Sequence, residues 1–175
     1  SGKSSVAKEV AKRLNFLHLN TGELYRAVAY YIVKNSIDYR SEDALRGVID
    51  NINVTVDYSG GSEQRTMLNG EYVGNVLHTD EVSKVVSLVA IYPFIREKVR
   101  DLQRNIASKN NVVMEGRDIG TVILPNASHK FFLTASPEAR AERRYKQFVE
   151  AKEVVTYEEV LESIKKRDEL DITRE

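Results

Sequence analysis

A chain of 175 residues, 42% hydrophobic and 30% charged, is long enough for one main domain with a real apolar core, and it contains no apolar run near the ~18 residues of a membrane-spanning helix. The absence of cysteine excludes disulfides, thiol nucleophiles and thiolate metal sites. Twenty-six Lys and Arg balance 26 Asp and Glu, which excludes a global basic field for nucleic acid or an anionic membrane, so any anion site must be a local cluster of positive charge.

Val6, Ala7, Val10, Ala11 and Leu14 recur at helical spacing, so a helix is predicted over 3–14, with lysines opposite the apolar stripe. Phe16 to Leu19 reads as a short strand, and Leu24, Ala27, Val28, Tyr31 and Ile32 as the buried side of a second helix. A short helix is predicted at 42–50. Beyond it Ile52, Val54, Val56 and Tyr58 alternate with polar residues as a half-buried strand does. Ser59-Gly60-Gly61-Ser62 marks a turn, Arg65 to Leu68 a returning strand, and Asn69-Gly70 a tight hairpin turn. From Asp80 to Ser108 the pattern is helical, broken at Tyr92-Pro93 because proline lacks an amide proton and crowds the preceding turn. Val112 to Met114 and Lys130 to Leu133 read as buried parallel strands, followed by helices at 136–150 and 156–170. Strands alternating with helices predict an α/β sheet, whose ligands belong at the carboxyl ends of its strands.

Gly2-Lys3-Ser4 at the start of the first helix matches the last three positions of G-x-x-x-x-G-K-[ST], in which backbone amides and the lysine cradle phosphates and the hydroxyl meets magnesium. The match is partial, and an ordinary lysine near a helix start is the alternative. A lysine at a helix's positive end is unfavourable unless an anion sits there, which favours the phosphate reading. An α/β domain seldom begins inside its first strand-to-helix turn, so the sequence is expected to be a fragment. His18, His78 and His129 are far apart and lack metal-ligand spacing, and they read as structural or surface residues.

Thr21-Gly22-Glu23-Leu24-Tyr25-Arg26, Glu115-Gly116-Arg117-Asp118-Ile119-Gly120-Thr121-Val122 and Lys166-Arg167-Asp168-Glu169-Leu170-Asp171-Ile172-Thr173-Arg174 together resemble the bacterial cytidylate kinases, and the similarity runs in order along the whole chain. The resemblance implies a P-loop kinase fold. Its parts are a parallel sheet core flanked by helices, a region binding the nucleoside monophosphate (NMP) with a small antiparallel β insert, and a helical lid. The implied extents are one domain over 1–175, with core at about 1–35 and 80–135, insert at about 36–79 and lid at about 136–170. Members of the family also carry an N-terminal strand with the full glycine loop and a C-terminal strand and helix, which are not in this sequence. Threonine at 21 stands where many relatives have serine, which keeps the hydroxyl.

The implied activity is transfer of the γ-phosphoryl group of ATP to CMP or dCMP, with Mg2+. ATP would be bound by Gly2, Lys3, Ser4 and Ser5, with Lys3 catalytic and magnesium on Ser4. Glu115, ending an apolar run as the acidic residue does in P-loop enzymes, would hold that ion through water. Arg26 would meet the acceptor phosphate, with Thr21 and Tyr25 lining the acceptor pocket; a helix N-cap and a packing aromatic are the plain readings of those two. Arg117 and Asp118 place donors beside an acceptor, as cytosine's carbonyl and amino groups require, against the alternative of a structural ion pair. Ser87 and Arg96 are base readers by resemblance alone. Arg140, Arg143 and Arg144 share a helix face, and Arg140 and Arg144 are the expected lid catalysts, although glutamates 138 and 142 interleave with them. Arg167, Asp171 and Arg174, at offsets of four and three, would contact phosphate and sugar; a surface salt bridge is the alternative.

Three other readings compete: a kinase for UMP or for an acceptor such as shikimate, a P-loop switch without a small-molecule acceptor, and a nucleic-acid binder. Arg117-Asp118 and the hairpin insert speak against the first, and balanced charge against the last. The chain is expected to act as a cytoplasmic monomer, with no nucleic-acid or membrane partner.

Overall fold

The computed structural model describes residues 2–150 and 152–172, without the side chains at 167 and 170–172. The chain divides into two compact units, one over Gly2–Lys130 and the other from Phe131 onward.

In the first unit the helix α1, Lys3–Leu14, leads into β1, Leu17–Asn20, and α2, Thr21–Lys34. A short helix α3, Glu42–Val48, runs on as a single 3-10 turn at Ile49–Asn51. The strands β2, Val54–Asp57, β3, Arg65–Leu68, and β4, Glu71–Tyr72, form an antiparallel sheet in chain order. Asn69 and Gly70 turn β3 into β4 with φ of 51° and 84°, the left-handed pair that an Asn-Gly hairpin supplies at low cost. The helices α4, Asp80–Val89, and α5, Pro93–Lys109, meet at Tyr92-Pro93, with proline in the first turn of α5 where its missing N–H costs no hydrogen bond. The strand β5, Val112–Glu115, then pairs in parallel with β1, setting Leu17 opposite Val112 and Asn20 opposite Glu115.

One apolar cluster joins most elements of this unit. It joins Leu19 of β1 and Leu24, Val28 and Ile32 of α2 to Leu45, Ile52, Leu68 and Leu77 of the antiparallel region and to Val82, Val89, Ile95 and Val99 of α4 and α5. The stripe on α1 behaves differently: Ala11 is buried, while Val6, Val10 and Leu14 remain exposed.

The second unit holds α6, Pro137–Glu150, and α7, Tyr157–Ile172. Arg140 of α6 ties to Asp168 of α7 through two hydrogen bonds, Nη1 to Oδ1 at 2.8 Å and Nη2 to Oδ2 at 2.5 Å. Tyr145 and Tyr157 meet edge to face at 6.2 Å. The expected strand at Lys130–Leu133 does not form: these residues have no regular structure, and Phe131 and Phe132 are 84% and 90% exposed. Apolar content marks a segment that gains from burial, but a strand also needs a neighbour's row of backbone partners, and among the described residues none is offered.

Candidate active site

The site grows from the carboxyl ends of β1 and β5, which finish level because Asn20 pairs with Glu115. At the start of α1, Gly2 has φ 74° and ψ 14°, a left-handed conformation that suits glycine, and no side chain caps the helix. The first turn of α1 carries no acidic residue, so the positive end of its dipole is not offset by a carboxylate of that turn, and Lys3 and Ser4 stand there.

Ser4 Oγ donates to Glu115 Oε2 at 2.8 Å. Glu115 is buried, with its side chain 7% exposed, so a carboxylate is held next to the Ser4 hydroxyl by the fold itself. Its other oxygen, Oε1, lies 3.0 Å from Nε2 of His18. His18 is therefore an interior, hydrogen-bonded residue, the structural histidine of the two alternatives expected, and its partner is the candidate residue Glu115. No metal-ligand spacing in sequence could have exposed this, because the two residues are 97 positions apart. The other two histidines stay peripheral. His78 lies 4.0 Å from Glu23, and His129 meets its neighbour Ser128.

At the start of α2, the side chain of Asn20, not Thr21, caps the helix by accepting from the Gly22 amide at 3.0 Å. The Thr21 hydroxyl is buried and donates to the Glu115 carbonyl at 2.8 Å, tying the ends of β1 and β5 together. The N-cap alternative for Thr21 is thereby replaced by a cross-strand tie. Tyr25 is half-buried and packs on the core cluster. Arg26 Nη1 donates at 2.9 Å both to the Leu77 carbonyl and to Ser83 Oγ, so its guanidinium is anchored beside the start of α4. Arg96 Nη2 reaches Asp118 Oδ2 at 3.3 Å, which brings two of the expected base readers into one pair. Ser87 is half-buried on α4, and Arg117 is exposed directly after β5.

Asp118 opens a single wide turn of π type, Ile119–Ile123, whose terminal carbonyls at Val122 and Ile123 accept from Arg104 at 2.9 and 3.1 Å. Such turns are rare and recur at functional sites.

Two further residues that sequence reasoning did not single out fix β1 to the antiparallel region. Gln64 Oε1 accepts from the Asn20 amide at 2.6 Å while Gln64 Nε2 donates to the Asn20 carbonyl at 3.3 Å. The Tyr58 hydroxyl donates to the His18 carbonyl at 2.9 Å, and the His18 amide donates to the Ser62 carbonyl at 3.1 Å. Burial pushes the Tyr58 phenol up to about 12, with the charge of Glu23 adding to the effect.

Within the second unit, Arg140 engages Asp168 rather than glutamates 138 and 142, which pair with Lys165 at 3.8 Å and Lys146 at 3.0 Å. Arg144 lies over the Phe148 ring at 4.5 Å. Arg167 and Asp171 fall on α7, but their side chains, and the whole of Arg174, lie outside the described residues.

A glycine-led helix start beside a serine–carboxylate pair, at the ends of parallel strands, is consistent with a P-loop kinase fold, and the relatives place the chain in the nucleoside monophosphate kinase class. The family model described as cytidylate kinase matches residues 1–175. A protein named cytidylate kinase from Carboxydothermus hydrogenoformans is 41% identical over 175 residues, covering 100% of this chain and 78% of its own length. Cytidylate kinases from Bacillus licheniformis, 42% identical over 100% of this chain and 77% of theirs, and from Caldanaerobacter subterraneus, 44% identical over 99% and 75%, agree. The chain belongs to the cytidylate kinase family.

Proposed function

We propose that this protein transfers the γ-phosphoryl group of ATP to CMP or dCMP, yielding ADP and CDP or dCDP, in pyrimidine nucleotide metabolism. The observation that carries the chemistry is the Ser4–Glu115 hydrogen bond at the start of α1, which sets a hydroxyl beside a buried carboxylate at the helix end where nucleotide phosphates would bind.

Gly2, Lys3, Ser4 and Ser5 are assigned to ATP, and Thr21, Tyr25, Arg26, Ser87, Arg96, Arg117 and Asp118 to CMP, with Arg167, Asp171 and Arg174 on its phosphate and sugar. The region at about 36–79 would grip the acceptor, between core segments at about 1–35 and 80–135, and that at about 136–170 would act as the lid. Arg140 and Arg144 would then bring positive charge to the transferring group. Ser4 and Glu115 fit a hard divalent cation, since both offer oxygen donors 2.8 Å apart, with Glu115 acting through water. Bound magnesium supplies charge neutralisation at the phosphate oxygens.

An oxygen of the acceptor monophosphate attacks the γ-phosphorus in line as the bond to the bridging β–γ oxygen breaks, and ADP leaves with that oxygen and its electron pair. The nucleophile is already an anion, so no general base is needed. Lys3 and the lid arginines contribute positioning and electrostatic stabilisation. The protein is taken to work as a cytoplasmic monomer; among the described residues no helix is long and apolar enough to cross a membrane.

The test is ADP release by the full-length protein with ATP and magnesium, adding CMP, dCMP, UMP, AMP or shikimate in turn, beside an Arg117→Ala variant. Strong dependence on CMP and dCMP, lost in the variant, is the expected result. Release of ADP without dependence on any acceptor would instead support a nucleotide-driven switch.

A further inference from the structure

We propose that His18 is a positioning residue for the phosphoryl-transfer site: its imidazole holds the Glu115 carboxylate in the orientation that presents it to Ser4. The inference rests on the reading of Ser4 and Glu115 as the metal-bearing pair and adds a residue to it.

The geometry follows from the sheet. His18 pairs with Val113, and Glu115 lies two residues further along β5, so the two side chains emerge on the same face of a parallel pair at neighbouring positions. Nε2 of His18 then reaches Oε1 of Glu115 at 3.0 Å, while Oε2 of the same carboxylate accepts from Ser4 at 2.8 Å. An ionised carboxylate can only accept, so Nε2 carries the proton in this contact. Each oxygen is thereby engaged by a different element, one from β1 and one from α1, and free rotation of the carboxylate about its last bond is removed. The His18 and Glu115 side chains are 12% and 7% exposed, so solvent competes little with the bond between them.

His18 is itself over-determined. Its amide donates to the Ser62 carbonyl and its carbonyl accepts from Tyr58, both in the antiparallel region expected to grip the acceptor. The ring therefore stands on a backbone clamped from the acceptor side and acts on a carboxylate that serves the donor side. Glu115, acting on the cation through water, is an outer-shell partner of the kind whose loss typically changes metal affinity by about 10- to 100-fold, and His18 fixes its orientation.

The experiment compares full-length wild type with His18→Phe, which keeps a ring but removes the donor, His18→Gln, whose amide nitrogen can take the place of Nε2, and Glu115→Gln. The readout is Mn2+ binding in the presence of ADP, followed by electron paramagnetic resonance, with folding checked by circular dichroism. The expected result is that Glu115→Gln and His18→Phe each weaken Mn2+ binding about 10-fold or more, and that His18→Gln recovers most of the loss. If Glu115→Gln weakens binding and His18→Phe does not, the positioning role is overturned while the metal pair stands. Equal losses in the Phe and Gln variants also overturn it, because they trace the effect to the ring's packing. If neither His18→Phe nor Glu115→Gln changes binding, the metal reading falls and the inference falls with it. Should the Phe variant not fold, NMR of wild type labelled with 15N-histidine decides the matter. A slowly exchanging Nε2–H of His18 that is lost in Glu115→Ala, which removes the acceptor, supports the contact, and its absence from wild type overturns it.

Discussion

Gly116 is the point where the two strand ends come too close for any side chain. A Cβ there would lie 2.5 Å from Thr21 Oγ1 and 2.7 Å from Ile119 Cδ1, and the threonine cannot yield without releasing the Glu115 carbonyl. Gly116→Ala is expected to destabilise the protein by about 1–3 kcal/mol in urea unfolding, the range of an overpacked site. Tyr58 gives a prediction in pH. Below about pH 10 its phenol is protonated in the folded and unfolded chains alike, and the group makes no pH-dependent difference. Between 10 and about 12 only the unfolded chain releases the proton, so stability falls as pH rises through that window. Tyr58→Phe should flatten this part of the stability curve. At pH 8 it should cost about 1 kcal/mol for the lost bond to the His18 carbonyl.

Pairing between α6 and α7 depends on the Arg140–Asp168 fork, a partly buried bidentate contact rather than an exposed single bond. A double-mutant cycle with Arg140→Ala and Asp168→Ala should return a coupling of about 1 kcal/mol in stability, above the few tenths typical of helix-surface pairs such as Lys146–Glu142. The helices were legible in the sequence because their signals are local: the period of α2, the proline that opens α5 and the turn residues at 69–70 all act within a few positions. The strand ends were legible too, since β5 stops at Glu115, the acidic residue that ends its apolar run. What could not be read is whatever depends on a partner far along the chain. His18 owes its place to a residue 97 positions away, Gln64 to one 44 away, and Arg140 to one 28 away. The segment 130–133 shows the converse, where apolar composition suggested a strand and, among the described residues, no strand pairs with it.

The antiparallel region shares its core with α2, α4 and α5, so it should not melt independently. Leu77, fully buried where the region ends, is a direct probe: Leu77→Ala is expected to cost about 2–5 kcal/mol, and circular dichroism and a fluorophore placed on β2–β3 should report one common transition. The unit from Phe131 onward has far less to hold it, with Ala141 and Val160 its only apolar residues in the buried core among those described. Amides of α6 and α7 should therefore exchange with solvent faster than those of α2 and α4 in native-state hydrogen exchange. The level finish of β1 and β5 bears on how such an enzyme can change over evolutionary time. Side chains alternate between the two faces of a strand, so lengthening β5 by a single residue ahead of Glu115 would turn its carboxyl from Ser4 and His18 toward the opposite face. Substitutions around the site can be tested one by one by selection, but length changes within these two short strands cannot. Tolerated insertions and deletions in descendants of this chain should accordingly fall in the loops and spare 17–20 and 112–115.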